Sequence, residues 1–141
     1  MVYPEYFTQY LQSNIDFFRE TGWLHDGAAA GVFTNGVQTN FQGLLIASAY
    51  NCGFRGFELE TGYEAAVKNE LDYRGRNLGN GKYDLHYFVN QGYVPYQDTT
   101  ISNGWVFNFG ASHTLEYAFS SYAVAQMAKG MGKEDDYRKL M

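Results

Sequence analysis

Helical segments that alternate between half-wet and wholly apolar, with no good strand, predict an all-α fold built of helical hairpins. A chain that stops two turns into its last helix adds a second indication. Together they point to part of an (α/α) six-hairpin toroid, a double-ring barrel with no substantial sheet. In an isolated bundle every helix keeps a solvated face, whereas a double ring needs an inner set of helices enclosed by an outer set. A few hairpins cannot close such a ring alone. Residues 1–141 therefore read as a partial barrel domain, truncated at its C-terminal end.

The first predicted helix runs from Pro4 to about Glu20. Pro4 suits the first turn, where its missing N–H is not needed. Phe7, Tyr10, Leu11 and Phe18 recur at helical spacing with Gln9, Gln12, Asp16 and Arg19 between them, and Gly22 ends the helix. A Gly-rich stretch from Gly27 to Gly36 reads as a loop. The second helix spans about Thr39 to Cys52, with Gly53 as its stop. It carries no charge, so burial is expected on every face, and Cys52 reads as a small buried hydrophobe. The third, Glu60 to Tyr73, sets Tyr63, Ala66, Val67 and Leu71 against Glu64, Lys68 and Glu70. A short helical turn at Leu85 to Asn90 is stopped by Gly92. After a loop from Tyr93 to Gly110, a long helix starts near Ser112 or Thr114, either able to cap it, and continues to Gly130. Leu115, Ala118, Phe119, Tyr122 and Val124 leave it almost no polar face. Glu134-Asp135-Asp136 then opens a further helix, with acids at its start as the dipole favours.

Composition excludes several classes. With 10 basic against 15 acidic side chains, no basic patch exists to neutralise a run of phosphates, so nucleic acid is not an expected partner. The longest clean apolar stretch, Gly43 to Tyr50, is too short to span a bilayer. Cys52 is alone, so neither an internal disulfide nor a thiolate metal site can form. The opening Met1-Val2-Tyr3-Pro4-Glu5 lacks the pattern of a signal peptide. Aromatic content is high, with 13 Tyr, 11 Phe and 2 Trp. Such rings pack cores, and they also line wet clefts where sugars stack.

Four stretches carry a family resemblance. Ser112-His113-Thr114-Leu115-Glu116-Tyr117-Ala118-Phe119, continued by Ala123 to Lys129 and Gly132-Lys133, resembles the most recognisable helix of glycoside hydrolase family 92. Thr21-Gly22-Trp23-Leu24-His25-Asp26 is similar to the turn after an outer helix of that family. Leu45 to Tyr50 with Gly53-Phe54-Arg55-Gly56-Phe57 is similar to the next inner helix and its exit. Gln91 to Tyr96 is similar to the approach to the last motif. The four stand in the family's order across nearly the whole chain. Ser120 and Ser121 depart from it, since the family usually carries two adjacent acids there, and Glu58 stands for an aspartate. A stretch around Trp105 and Phe107 looks inserted.

The resemblance implies a calcium-dependent, inverting exo-α-mannosidase acting on terminal mannosides of glycans, in a periplasmic or extracellular parent. Inversion needs one carboxylic acid and one carboxylate roughly 6.5–9.5 Å apart with a water between. In the family both catalytic carboxylates and the calcium motifs lie further along the chain. No catalytic or metal-binding residue is therefore expected here, and the segment alone should be inactive. Its partners are the glycan and the remainder of the same polypeptide. The alternatives are another (α/α)-barrel glycosidase, or a non-catalytic sugar-binding or structural helical protein.

Glu116, His113, Asn40 and Gln38 stand out as candidates for substrate binding. Glu116 is the one acidic residue in an apolar helix, and either anchors its first turn or faces substrate. His113 beside it could donate to a sugar hydroxyl. Loops entering the inner helices should cluster at one end of a double ring, which brings Gln38, Thr39 and Asn40 near His113 and Glu116. His25 and Asp26 could join that rim. Asp135 and Asp136 lack the six to eight oxygen ligands of a calcium site and read as a helix start. Gly79-Asn80-Gly81 is a turn and not a phosphate loop.

Overall fold

The computed structural model describes residues 3–29, 32–34, 39–76, 82, 84–96 and 110–141. Among these the order is α1 (Pro4–Thr21), β1 (Gly27–Ala29), β2 (Val32–Thr34), α2 (Phe41–Asn51), α3 (Leu59–Leu71), α4 (Leu85–Gln91), α5 (Gly110–Gly130) and α6 (Glu134–Leu140). The expected helices are all present. Within the stretch read as a loop, β1 and β2 form an antiparallel hairpin with Ala28 opposite Phe33. Two residues separate the strands, the spacing of a tight hairpin.

Helices α2 and α5 pack against each other and form the inner layer. α1 and α3 cover α2, while α3 and α6 cover α5. Leu11, Ile15 and Phe18 of α1 meet Ile46, Ala47 and Ala49 of α2, Ala65 and Ala66 of α3, and Val124, Ala125, Met127 and Ala128 of α5. The many alanines let helix backbones approach closely. At Gly62 of α3 a Cβ would lie 3.2 Å from Ile15 and 3.3 Å from Ile46, so α3 packs closely on α1 and α2 here.

Helix ends follow the sequence signals in part. Gly22 takes the left-handed conformation (φ 78°) and donates its N–H to the Phe18 carbonyl. Asn40 caps α2, its side-chain oxygen accepting from Gly43 N–H. The start of α5 differs from expectation, because the helix begins at Gly110 and neither Ser112 nor Thr114 is its cap. The Thr114 hydroxyl instead donates to the Gly110 carbonyl at 2.6 Å and accepts from Val94 N–H at 2.9 Å. Thr114 thereby ties the incoming chain at Val94 to the first turn.

Two burial expectations change. The inner helices are not covered on every side by the described residues: Phe41 of α2 and Leu115, Phe119 and Tyr122 of α5 are exposed. The buried face of α5 carries His113, Tyr117, Ser120 and Ser121 in its first half and apolar residues only beyond them. Cys52 is exposed because it follows the last turn of α2. Asp135 and Asp136 do lie in the first turn of α6, where Asp136 accepts from the Tyr63 hydroxyl at 2.7 Å and ties α6 to α3. No helix among the described residues is long and apolar enough to cross a membrane.

Candidate functional site

Polar side chains collect where the chain enters α2 and α5, at the end where α3 finishes. Asn40 stands at the start of α2, Asn69 and Glu70 in the last turn of α3, and His113 and Tyr117 one turn apart on the buried face of α5. Lys82 and Asp84 enter from the segment before α4. All are nearly or fully buried.

Glu70 is the hub. Its carboxylate accepts from Asn40 Nδ2 at 2.6 Å, from the Ser121 hydroxyl at 2.6 Å and from the Lys82 ammonium. Lys82 also donates to Ser120 Oγ at 2.9 Å, and its Nζ stands 4.7 Å from the centre of the Tyr117 ring. A buried ammonium is tolerable only where its N–H donors find acceptors and an opposite charge, as here. Burial pulls the Lys82 pKa below its ordinary value, opposed by the Glu70 charge. Lys82 sits in the left-handed region at φ 48°, unusual for a lysine and consistent with a backbone held by its side-chain contacts.

Asp84 forms the second centre. His113 Nδ1 lies 2.9 Å from one oxygen, and the Tyr117 hydroxyl donates to the other. Burial pushes the Asp84 carboxyl up, but the hydrogen bonds from His113 and Tyr117 together with the His113 charge outweigh it and hold the pKa below its ordinary value. Burial and the Asp84 carboxylate push the Tyr117 phenol well above its own. The His113 and Tyr117 rings stack with centroids 5.5 Å apart. Tyr117 therefore joins the two centres, its hydroxyl on Asp84 and its face under Lys82.

The network continues to the loop after α1. Asn69 Oδ1 accepts from Leu24 N–H, and its Nδ2 donates to the Leu24 carbonyl and to Asn40 Oδ1. Asp26 accepts from the Thr39 N–H at 2.9 Å and from its hydroxyl at 3.2 Å. Arg76 caps the end of α3 by donating to the Asn69 and Asp72 carbonyls, and burial lowers its pKa to about 10 against the pull of Glu70.

The four sequence candidates fall in different places. Asn40 and His113 belong to one network, linked through Glu70, Lys82 and Tyr117. Both are buried, Asn40 to 1 % and His113 to 3 % exposure, and Asn40 is committed to its cap and to Glu70. Glu116 is exposed, one turn from Ser112 on the flank of α5 that the described residues leave open. Gln38 lies outside the described residues, as do Gly79 to Gly81, Trp105 and Phe107.

Glu70, Lys82, Asp84 and Tyr117 escaped the sequence reading. Glu70 had a signal, since with Tyr63 and Ala66 it continues one helical stripe at i, i+3 and i+7. Its charge masked that position. Lys82 and Asp84 sit in a loop where no periodicity applies.

Donor chemistry also bears on the calcium implied by the resemblance. Both oxygens of Glu70 and of Asp84 are occupied by protein donors, and calcium needs six to eight oxygens. No group of three or more potential ligands occurs among the described residues. The side chains described here do not fit a calcium site.

An open apolar groove between α1 and α2, lined by Phe7, Leu45, Ala49 and Phe54, lies apart from this network. It offers no buried titratable group, so the polar end is the better candidate for chemistry.

Inner helices paired inside outer ones, with buried polar groups at the ends of the inner pair, define a segment of a helical toroid. The glycosyl hydrolase family 92 catalytic domain model matches residues 1–141, and the chain belongs to that family. A family 92 inverting mannosidase of Bacteroides thetaiotaomicron has the same fold over 98 % of this chain and 18 % of its own, with a TM-score of 0.78 at 24 % identity. An uncharacterized secreted glycosidase of Arthroderma benhamiae is 28 % identical over 127 residues, 86 % of this chain and 16 % of that protein. The chain thus spans less than a fifth of the length of either relative.

Proposed function

We propose that this chain is part of the catalytic domain of an inverting, calcium-dependent α-mannosidase that hydrolyses terminal α-mannosides of glycans. The observation that carries the reading is the family match over the whole of residues 1–141. The related inverting mannosidase lends further support through its shared fold.

In this reading the segment supplies two inner helices and their outer cover. The catalytic acid, the catalytic base and the calcium ligands are assigned to the rest of the polypeptide, as the resemblance implies, and the buried carboxylates of Glu70 and Asp84 are already engaged by protein donors. The network of Glu70, Lys82, Asp84 and Tyr117 braces the end of the inner helices; His113 within it and the exposed Glu116 outside it are the candidates for contact with the glycan. The exposed Leu115, Phe119 and Tyr122 of α5 are the surface that the neighbouring hairpins of the same polypeptide cover. Ser120 and Ser121 are buried hydrogen-bond partners of Lys82 and Glu70, so their departure from the family's acids alters an internal charge balance and does not favour a non-catalytic protein.

The test is hydrolysis of an aryl α-mannoside by the intact protein. Turnover that is lost on chelation and restored by calcium supports the reading. Turnover of a different glycoside alone makes it another glycosidase of the same barrel, and sugar binding without turnover makes it a binding protein.

A further inference from the structure

We infer that the groove between α1 and α2 is the seat of a further helix of the same polypeptide, one that turns a stripe of large uncharged side chains towards it. Such a seat rests on the part of the functional reading that makes this chain one segment of a longer catalytic domain, and not on the sugar cleaved.

The groove follows from the sequence of α2. Phe41, Leu45, Ser48 and Cys52 recur at i, i+4, i+7 and i+11, one face of a helix that carries no charge. That face is the one left uncovered: Phe41 and Cys52 are exposed, and Leu45 and Ser48 are half-buried. With Pro4 and Phe7 of α1 and Phe54 beyond α2, it lines an open space of about 740 Å³. Leu45 and Ser48 also line a second hollow beside Tyr10, Phe41 and Leu44, so the groove runs the length of the helix. Among the described residues no charged side chain lines either part. The wall is preformed, since the Phe7 and Phe54 rings pack edge to face with centroids 5.2 Å apart and Phe54 stacks on Phe57. An uncharged groove of this extent marks an interaction surface.

Three observations choose the occupant. Another side of α2 already takes an inner helix at close range. There a Cβ at Gly130 of α5 would lie 2.8 Å from the Tyr50 ring, and Asn51 Nδ2 donates to the Ala123 carbonyl at 3.1 Å. The open flank of α5 bears Leu115, Phe119 and Tyr122 at i, i+4 and i+7, all exposed. One inner helix thus offers a groove and the other a ridge, as neighbours in a ring of repeated hairpins require. Finally, the related mannosidase shares this fold over only 18 % of its own length, so it has ample chain beyond the matched part. A ridge like that of α5, borne by another helix of this polypeptide, is the occupant that fits. A second copy carries the same ridge, and dilution separates the two.

Cys52 lines the groove and is the one cysteine of residues 1–141, so its reactivity reports occupancy. The experiment alkylates the intact folded protein with iodoacetamide and follows the peptide containing Cys52 by mass spectrometry. A covered Cys52 should react about a hundredfold or more slowly than in urea, because labelling then waits on local opening. The slow rate should persist when the protein is diluted. Protection lost on dilution makes the occupant a second copy, and reaction at the urea rate leaves the groove open; either result overturns the inference. This arm needs no variant and no turnover, so its failure is distinct from failure of the mannosidase reading. A photo-reactive benzoylphenylalanine in place of Phe41 then identifies the occupant by cross-linking. The expected product joins position 41 to a segment of the same chain with large apolar side chains at helical spacing. A cross-link to a charged segment, or to one without that spacing, overturns the inference even where Cys52 is protected.

Discussion

Lys82 is wholly buried, and among the described residues it meets a single full negative charge at hydrogen-bond range, that of Glu70. Removing one partner of such a pair strands the other, which typically costs about 3–5 kcal/mol. Glu70→Gln should therefore destabilise the intact protein by about that much in denaturant melts. Changing both partners, Glu70→Gln with Lys82→Met, should cost less than the sum of the single changes, because no charge is left alone. Asp84 gives a different signature. Its folded pKa lies below the ordinary 3.8, so the folded chain binds fewer protons than the unfolded one in that window. The stability it contributes is fully present above 3.8 and is lost as pH falls through the folded value. Acid unfolding of Asp84→Asn should show a shallower loss over the same range. At this scale the sequence was least informative. A buried lysine in a Gly-rich loop has no pattern to betray it, and Glu70 was hidden by the usual rule that charge marks a wet face.

The elements were far more legible. Apolar spacing located α1, the absence of charge marked α2 as an inner helix and the near-absence of a polar face marked α5, because period and composition are local properties. Helix starts were harder to read, since the Thr114 hydroxyl that could cap α5 is engaged instead with Val94 and the Gly110 carbonyl. A Cβ at Gly110 would come within 2.7 Å of the Val94 carbonyl oxygen and 2.9 Å of the Pro95 backbone. Backbone at that distance cannot yield cheaply. Gly110→Ala should destabilise the protein by about 1–3 kcal/mol, the usual range for overpacking, and thermal melts would register it. The unanticipated hairpin is the complementary case. Three residues per strand are too few for an alternating pattern to appear. The open flank of α5 follows from the same limit, since composition says that a helix must be covered and not what covers it.

For the molecule as a whole, the exposed Leu115, Phe119 and Tyr122 of α5 and Phe41 of α2 set the behaviour of residues 1–141 as an isolated piece. Apolar patches of this kind favour association. The isolated segment should sediment as oligomers, and Leu115→Lys with Phe119→Lys should shift it towards monomer. The same pair of changes should impair folding of the intact protein, where neighbouring hairpins are proposed to cover that face. A monodisperse, cooperative unaltered segment would argue against a toroid that needs the rest of the chain. The proposed function is that of an inverting α-mannosidase, with this segment as part of its catalytic domain. Proton NMR of the intact protein hydrolysing an α-mannoside tests that most directly, by showing which anomer of mannose appears first. β-Mannose is the predicted first product, and release of α-mannose, or of no mannose at all, would contradict it.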